Sequence, residues 1–397
     1  MKHADYNPVS KDAPGPDSPE QGIGLCLSGG GYRAMLFHLG VVWRLAELGY
    51  LGSNDQEGLD GNLGTLERVS SVSGGSIISA QLGLSWDKLR VAEDGVADRY
   101  RELVVGPIMR FASQTTISWF SGIMALIFSS MNRRVVRQYR DKLYGHATLQ
   151  DFPDQPRFVV NATNLQSGAL WRFSKPYSRD WRVGEIVAPV DPVAKVVGAS
   201  SAFPPFLSPA RFRYTENDFV EKSGDGLQQP PYTTRPELSD GGVYDNMGLE
   251  TVFKRFKTLI VSNAGGGFKA QPRVPGDWVR LGFRVFGTTD NQVRSLRKRA
   301  LLKALTDNDR SGAYWSIRTN IEGYDAPGTL PCPFPETTAL ANMQTDLAAK
   351  DEVTQKQLIN WGYAICDAGM RSFVRSDKPP YDFPFPEAGV GPLPNTK

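Results

Sequence analysis

Apolar residues in the first part of the chain fall into short dense runs, each ended by a glycine turn. Gly22–Leu27 (GIGLCL) is one such run, and it stops at Ser28-Gly29-Gly30-Gly31. Beyond the turn Met35, Leu36, Leu39, Val42, Trp43 and Leu45 recur at helical spacing, with Arg44 and Glu47 on the other face. Gly49 closes the pattern, as glycine commonly does just past a helix. The same order then repeats. Arg68–Val72 is β-prone, Ser73-Gly74-Gly75 is a tight turn, and Ser76–Leu84 (SIISAQLGL) starts an apolar helix. Two strand–turn–helix units in succession predict an α/β fold, a central mostly parallel sheet flanked by helices.

The rhythm breaks over residues 86–155, which read as a segment inserted between core elements. It holds a charged part, the uncharged stretch 111–132, and a basic run of Arg133, Arg134, Arg137, Arg140 and Lys142. Strands resume at Arg157–Ala162 (RFVVNA) and Thr258–Asn263 (TLIVSN). Asn291–Leu305 predicts a basic amphipathic helix, with Val293, Leu296, Leu301 and Leu305 inward and Arg294, Arg297, Lys298 and Arg299 outward. Residues 377–397, rich in proline and glycine, predict an irregular extended tail. Residues 1–21 are polar and proline-rich, without the apolar core of a secretory signal, and predict a disordered arm. One domain, 22–376, is expected between them.

Composition narrows the classes. With 40% hydrophobic and 22% charged residues the chain is globular. Forty-five basic and 42 acidic side chains leave a net charge of +3, so no overall field directs it to nucleic acid. Cys26, Cys332 and Cys366 are far apart and odd in number, which excludes a disulfide framework and a cysteine zinc site and suits a reducing, cytoplasmic setting. In the uncharged stretch only Ile117–Phe128, 12 residues, is densely apolar. A spanning helix needs about 20, so a buried or interfacial segment is expected.

The glycine turn SGGGYRA (28–34) has three readings. A Walker A loop fails because no Lys-Ser or Lys-Thr follows. A dinucleotide-binding turn lacks its third glycine, replaced by Ala34, and lacks an acidic residue at a following strand end. An oxyanion hole is consistent: consecutive glycines let N–H groups turn toward a developing negative charge, beside a helix N-terminus. Ser71-Val72-Ser73-Gly74-Gly75 approximates the GxSxG nucleophile elbow, with Ser71 in place of the first glycine. Taken alone, it reads equally well as a serine-rich loop capping a helix.

Histidine cannot complete a triad in the usual Ser–acid–His chain order. His146 is the last of only three, the others being His3 and His38, and every plausible late-loop acid follows it. No HExxH is present, and the EF-hand-like start at 307–312 (DNDRSG) would put Arg318 where glutamate is required. The base is therefore a carboxylate or a lysine. The best-placed carboxylate is Asp240 in SDGGVYDNMGLE (239–250), where two glycines make a turn able to aim the side chain at another loop. By itself, Asp-Gly is also among the commonest turn dipeptides.

Taken together, four blocks resemble the patatin-like phospholipase family, which includes the catalytic domain of cytosolic phospholipase A2. They are SGGGYRAMLFHLGVVWRL, VSSVSGGS, VVGASSAFPPFLSP (196–209) and SDGGVYDNMG, and the resemblance covers roughly residues 22–265. It implies a patatin-like three-layer fold and a Ser–Asp dyad, with Ser73 as nucleophile and Asp240 as base. It also implies an oxyanion hole at Gly29, Gly30 and Gly31 and a lipid-phosphate contact from Arg33, without metal or cofactor. Two residues depart from the family pattern, Ser71 and Ala34; both are small, although Ser71 would be uncomfortable at positive φ.

The function expected is ester hydrolysis of membrane phospholipids or acylglycerols by a protein peripheral at the membrane. Trp119 and Phe120, next to the basic run, are expected anchors if 111–132 is a lid; an ordinary pair of core helices is the other reading. Ser73 precedes this segment and Asp240 follows it, so a single crossing would separate the dyad. A neutral acylglycerol lipase, a lysophospholipase and a non-catalytic membrane-binding protein of the same fold remain alternatives.

Overall fold

A computed structural model describes residues 19–51, 66–90, 96–114 and 128–392. Most of the N-terminal arm and the apolar part of 111–132, including Trp119 and Phe120, lie outside the described residues. The strands are β1 (Glu20–Leu27), β2 (Leu66–Val72), β3 (Arg157–Asn164), β4 (Leu170–Phe173), β5 (Tyr177–Asp180), β6 (Gly184–Val187), β7 (Ala210–Arg211), β8 (Glu237–Asp240), β9 (Phe256–Asn263) and β10 (Ser311–Ser316). The helices are α1 (Gly31–Glu47), α2 (Gly74–Arg90), α3 (Val96–Tyr100), α4 (Gly106–Ala112), α5 (Phe128–Tyr139), α6 (Val193–Ser200), α7 (Gly242–Asp245), α8 (Trp278–Thr306), α9 (Phe334–Asn342) and α10 (Glu352–Phe373).

The strand order is β10-β9-β1-β2-β3-β4-β5-β6. The five from β10 to β3 are parallel, and β4, β5 and β6 extend the sheet as an antiparallel meander. In the centre both faces are covered, so side chains alternate between two cores. Ile23, Leu25, Leu27, Ile260, Ala313 and Trp315 point to the larger one, shared with α1, α2, α6 and α10. Cys26, Leu259, Val261 and Tyr314 point to a smaller one, closed by Met247, Leu249, Val252, Phe256 and Leu301 of α8. The result is a three-layer α/β fold. All three cysteines are free and buried.

Helix α1 is buried from Gly31 to Ala46. It crosses α10 so closely that a Cβ at Gly40 would strike the Ile359 carbonyl, and one at Gly362 the Phe37 carbonyl. That contact fixes the helix whose first residue closes the glycine turn. The described part of 86–155 also belongs to the core: Val104, Ile108, Phe111, Val135 and Tyr139 are buried, while Arg133, Arg134, Arg137, Arg140 and Lys142 face out. Residues 377–392 carry no helix or strand but run over α1 and α10. Asn360 Nδ2 donates to the carbonyls of Phe385 (2.7 Å) and Gly389 (2.8 Å), and Arg44 to that of Pro379 (3.0 Å).

Helix α8 differs from its expectation. It starts 13 residues earlier than Asn291, at Trp278, and its faces are partly exchanged. Leu301 is buried as expected, but Leu296 is half exposed, whereas Arg294 and Arg297 turn toward the body. The reason is what lies beneath them. Arg297 meets Glu250 (3.0 Å) and Asp245 (3.8 Å), and Arg294 pairs with Asp290 and donates to the Gly266 carbonyl (2.9 Å). The helix covers polar groups at the carboxyl ends of the strands, and guanidinium groups satisfy these better than leucine can.

Candidate active site

Strand register brings the two ends of the expected dyad together. Val72, the last residue of β2, is level with Asn161 of β3, and the next β3 residue, Ala162, pairs with Asp240 of β8. The other edge of β3 at this point is taken by β4. Strand β8 therefore continues the β2 edge from the opposite direction, and the carboxyl ends of β2 and β8 meet. The Ser73 side chain lies near enough to the Asp240 carboxylate to lower its pKa. Both residues line one cavity of about 460 Å³ together with Gly29, Gly30 and Gly31. This is the usual place for a site in such a sheet, outside the carboxyl ends of its strands.

Ser73 sits at φ 51°, in the left-handed region that a residue with a Cβ enters at a cost of about 1–2 kcal/mol. Strain at this point turns the side chain out of the strand and lets α2 begin at the next residue. The Ser73 carbonyl accepts from Ser76 (2.8 Å) and Ile77 (3.2 Å), and its N–H donates to Ser200 Oγ (2.9 Å). Ser200 in turn donates to the Asn161 carbonyl (2.7 Å) and lies 2.9 Å from Ser76 Oγ. Ser200 therefore clamps the elbow to β3. It was not singled out in the sequence, though it lies inside the 196–209 block. Ser71 keeps ordinary strand geometry and its hydroxyl approaches the Val159 carbonyl (3.3 Å), so the departure from glycine there carries no strain.

Asp240 is held at both backbone ends. Its N–H donates to the Ala202 carbonyl (2.9 Å), and its carbonyl accepts from Thr163 Oγ1 (2.8 Å). Oδ1 accepts from the Gly242 N–H (2.7 Å). The residue is only 4% exposed. Burial pushes its carboxyl up to about 7; the hydrogen bonds from Gly242 and Ser73 pull the other way, and the Asp290 carboxylate adds a smaller upward push. Asp245, five residues on, is equally buried but is turned elsewhere: it accepts from the N–H groups of Met247 (3.2 Å) and Glu250 (2.8 Å) and faces Arg297.

The three glycines separate into two roles. The Gly29 N–H donates to the Asn246 carbonyl (3.0 Å), so it is occupied and cannot serve an oxyanion as expected. Among the described residues the N–H groups of Gly30 and Gly31 have no hydrogen-bond partner, and Gly31 opens α1. Glycine is required at both: φ is 147° and 62°, and a Cβ would meet the carbonyl of Ala264 at 30 and that of Asp346 at 31. The start of α2 follows Ser73 directly, so two helix N-termini face one spot.

Arg33, expected at a lipid phosphate, has a different task. It is buried, and its guanidinium donates to the carbonyls of Met343 and Ala264 (3.0 Å for the latter), tying the loops behind the glycine turn. Desolvation, with Arg318 and Arg294 nearby, lowers it to about 10. The guanidinium on the cavity wall is that of Arg294. His38 is fully buried between the Ser28 carbonyl and Ser262 Oγ, 3.0 Å from each, and burial lowers it to about 4. His146 is exposed and does not line the cavity. Among the described residues no group of His, Cys, Asp or Glu is arranged to hold a metal ion, and no helix is long and apolar enough to cross a membrane.

The remaining cavity wall is largely apolar, with Phe203, Phe206, Leu207, Phe268, Phe283 and Phe286. Such a lining accepts hydrocarbon, with the polar dyad and free amides at its floor.

Among curated proteins no sequence matches. Human GIVD cytosolic phospholipase A2 is similar in structure at 10% identity and a TM-score of 0.46, covering 88% of this chain and 61% of that one. Its complex with methyl gamma-linolenyl fluorophosphonate gives 11% identity and a TM-score of 0.44, over 87% and 57% of the two chains. VipD from Legionella pneumophila gives 17% identity and a TM-score of 0.30, over 86% and 67%. The chain thus spans about six-tenths of the length of the human structures it matches. The family profile described as patatin-like phospholipase matches residues 25–253, more than half of the sequence and all three turns just built. The chain belongs to the patatin-like phospholipases, a family of lipid acyl hydrolases.

Proposed function

We propose that this protein hydrolyses ester bonds of membrane lipids, phospholipids or acylglycerols, through Ser73 and Asp240. Asp240 takes the proton from Ser73 as its Oγ attacks the ester carbonyl carbon. The carbonyl oxygen becomes the oxyanion between the N–H groups of Gly30 and Gly31. Collapse expels the alcohol, which takes the proton from Asp240, and leaves an acyl-serine. Water, deprotonated by the same carboxylate, attacks the acyl-serine, and the fatty acid departs as the proton returns to Ser73.

The observation that carries this reading is the meeting of β2 and β8, which brings Ser73 at a strained turn and the buried Asp240 carboxylate, pushed up to about 7, to one cavity. A carboxylate of ordinary acidity is a poor base for an alcohol, and desolvation raises its basicity to the range where it is both partly ionised and effective near neutral pH. The apolar wall supports a fatty acyl chain over a short polar ester.

A panel of phospholipids, lysophospholipids and acylglycerols tests the substrate class. Ser73→Ala and Asp240→Asn should each fold normally and release no fatty acid from the best substrate. A fluorophosphonate separates enzyme from idle fold: it should label wild type at Ser73 and neither variant. Full activity in either variant, or an unlabelled wild type, overturns the proposal.

A further inference from the structure

The first half of α8 is apolar and almost unsupported. Trp278, Val279, Leu281, Phe283, Val285 and Phe286 lie within nine residues, and all are exposed, Trp278 at 84%, Val285 at 57% and Phe283 at 48%. The buried residues of this helix, Leu301 and Ala304, are both in its last two turns. At 100° per residue Phe283, Phe286 and Gly287 share the face that lines the cavity, whereas Trp278, Leu281 and Val285 share the opposite one. Phe268 and Val274, just before the helix, are exposed as well. Contiguous exposure of this kind marks a surface meant to be covered.

Charge indicates what covers it. From 268 to 289 the basic residues are Lys269, Arg273, Arg280 and Arg284, and the single acid is Asp277, which caps the helix and pairs with Arg280. Arg280 and Arg284 are four apart and so share one flank. Arg284 stacks on Phe268 (3.9 Å) and donates to the Lys269 carbonyl (2.8 Å), joining loop and helix in one unit. Apolar side chains on two faces with cations along a flank suit the boundary between headgroups and acyl chains; a groove on a protein would take one face only.

We propose that Phe268–Phe286 is the surface on which this protein docks to an anionic bilayer, and that the cavity-lining face of α8 guides the acyl chain from the bilayer to Ser73. The second part rests on the lipid-ester reading of the cavity; the docking itself does not. Binding is therefore measured on Ser73→Ala, which separates it from turnover, with vesicles of phosphatidylcholine alone or mixed with phosphatidylserine. Replacing Trp278, Leu281 and Val285 together by serine alters only exposed side chains outside the cavity wall. It should weaken binding to mixed vesicles by on the order of a hundredfold. With Ser73 restored, the triple variant should hydrolyse a short soluble ester at the wild-type rate and vesicle lipid far more slowly. Arg280→Glu with Arg284→Glu should remove the preference for phosphatidylserine.

Undiminished vesicle binding by the triple variant overturns the proposal. So does concentration-dependent self-association of wild type, seen by light scattering, that the same substitutions abolish without changing vesicle binding, since the face would then join copies of the chain. If vesicles bind as expected but neither ester is cleaved by wild type, the docking surface stands and the hydrolase reading fails.

Discussion

Two strand–turn–helix units meet at the site, and they handle the same backbone problem in opposite ways. After β1 the chain turns through Gly30 and Gly31, residues that adopt positive φ without strain. After β2 it turns through Ser73, which has a Cβ and is strained at φ 51°. In the proposed mechanism the first turn presents bare N–H groups, so any side chain there is an obstacle. The second, in the same mechanism, presents a side chain, so glycine is not an option and the strain is retained. What holds the strained turn is its surroundings, chiefly Ser200, and what holds the unstrained one is close contact with the backbones at Ala264 and Asp346. Of these two turns, the strained one is the one where the proposed chemistry needs an atom that glycine lacks.

The largest effect should follow from making the first turn resemble the second. Gly31→Ala introduces a Cβ at φ 62° that must displace the Asp346 carbonyl. Moving or losing one oxyanion donor costs on the order of 10²–10³ in kcat. The stability loss should be about 2–3 kcal/mol by denaturant titration. Retention of wild-type kcat by Gly31→Ala would remove this glycine from the oxyanion hole. Next is Ser200→Ala, which leaves the partly buried Ser73 N–H without this acceptor and the buried Asn161 carbonyl without that donor. Unpaired buried groups cost about 1–3 kcal/mol. Activity should fall roughly tenfold as the elbow loosens, with fluorophosphonate labelling slowed by a similar factor. Ser200→Thr keeps the hydroxyl and should recover part of both; an alanine variant with unchanged labelling would show that α2 alone holds the turn.

How far these turns could be read in advance depended on whether their reasons were local. The run GIGLCL, the glycines after it and the helical spacing of Met35 to Leu45 are local signals, and β1, α1 and the following unit appear where they predict. Asp240 was identified by excluding histidine and by the turn it sits in. Its proximity to Ser73, in contrast, comes from β8 continuing the edge of β2, a long-range pairing that no spacing reveals. Gly29 and Arg33 depart from their expected roles for the same reason: the carbonyls that engage them, at 246, 264 and 343, are remote in sequence. The meander β4–β6 was missed because four-residue strands give too little alternation to see. In α8 the periodicity was visible, but an inward-facing arginine cannot be told from an outward one until its carboxylate partners are placed.

The raised pKa of Asp240 links the site to stability. Its carboxyl is about 7 in the folded protein and near 4 when unfolded, so the unfolded chain ionises first. The resulting stabilisation is complete below the unfolded value and is lost as pH rises toward and through 7. Asp240→Asn cannot ionise and can still accept from Gly242. Relative to wild type it should be more stable at pH 8 than at pH 5, by about 2.6 kcal/mol in the difference. The rate of ester cleavage by wild type should rise along a limb with a midpoint near pH 7. A stability difference independent of pH would mean that Asp240 is ionised throughout and that its basicity has another origin.

The smallest effect isolates the strain itself. Ser73→Ala and Ser73→Gly both remove the proposed nucleophile, so activity should not distinguish them, but only the glycine variant relaxes φ 51°. Alanine keeps the cost of a Cβ in the left-handed region, about 1–2 kcal/mol. Glycine avoids it while adding freedom to the unfolded chain, worth about 0.4–1 kcal/mol in the other direction. The net expectation is that Ser73→Gly is the more stable by roughly 0.5–1 kcal/mol, the small difference between these terms, and urea midpoints at equal m resolve that. A glycine variant that is less stable than alanine would mean the turn is not strained at this residue, and the contrast between the two units would reduce to the presence or absence of a side chain.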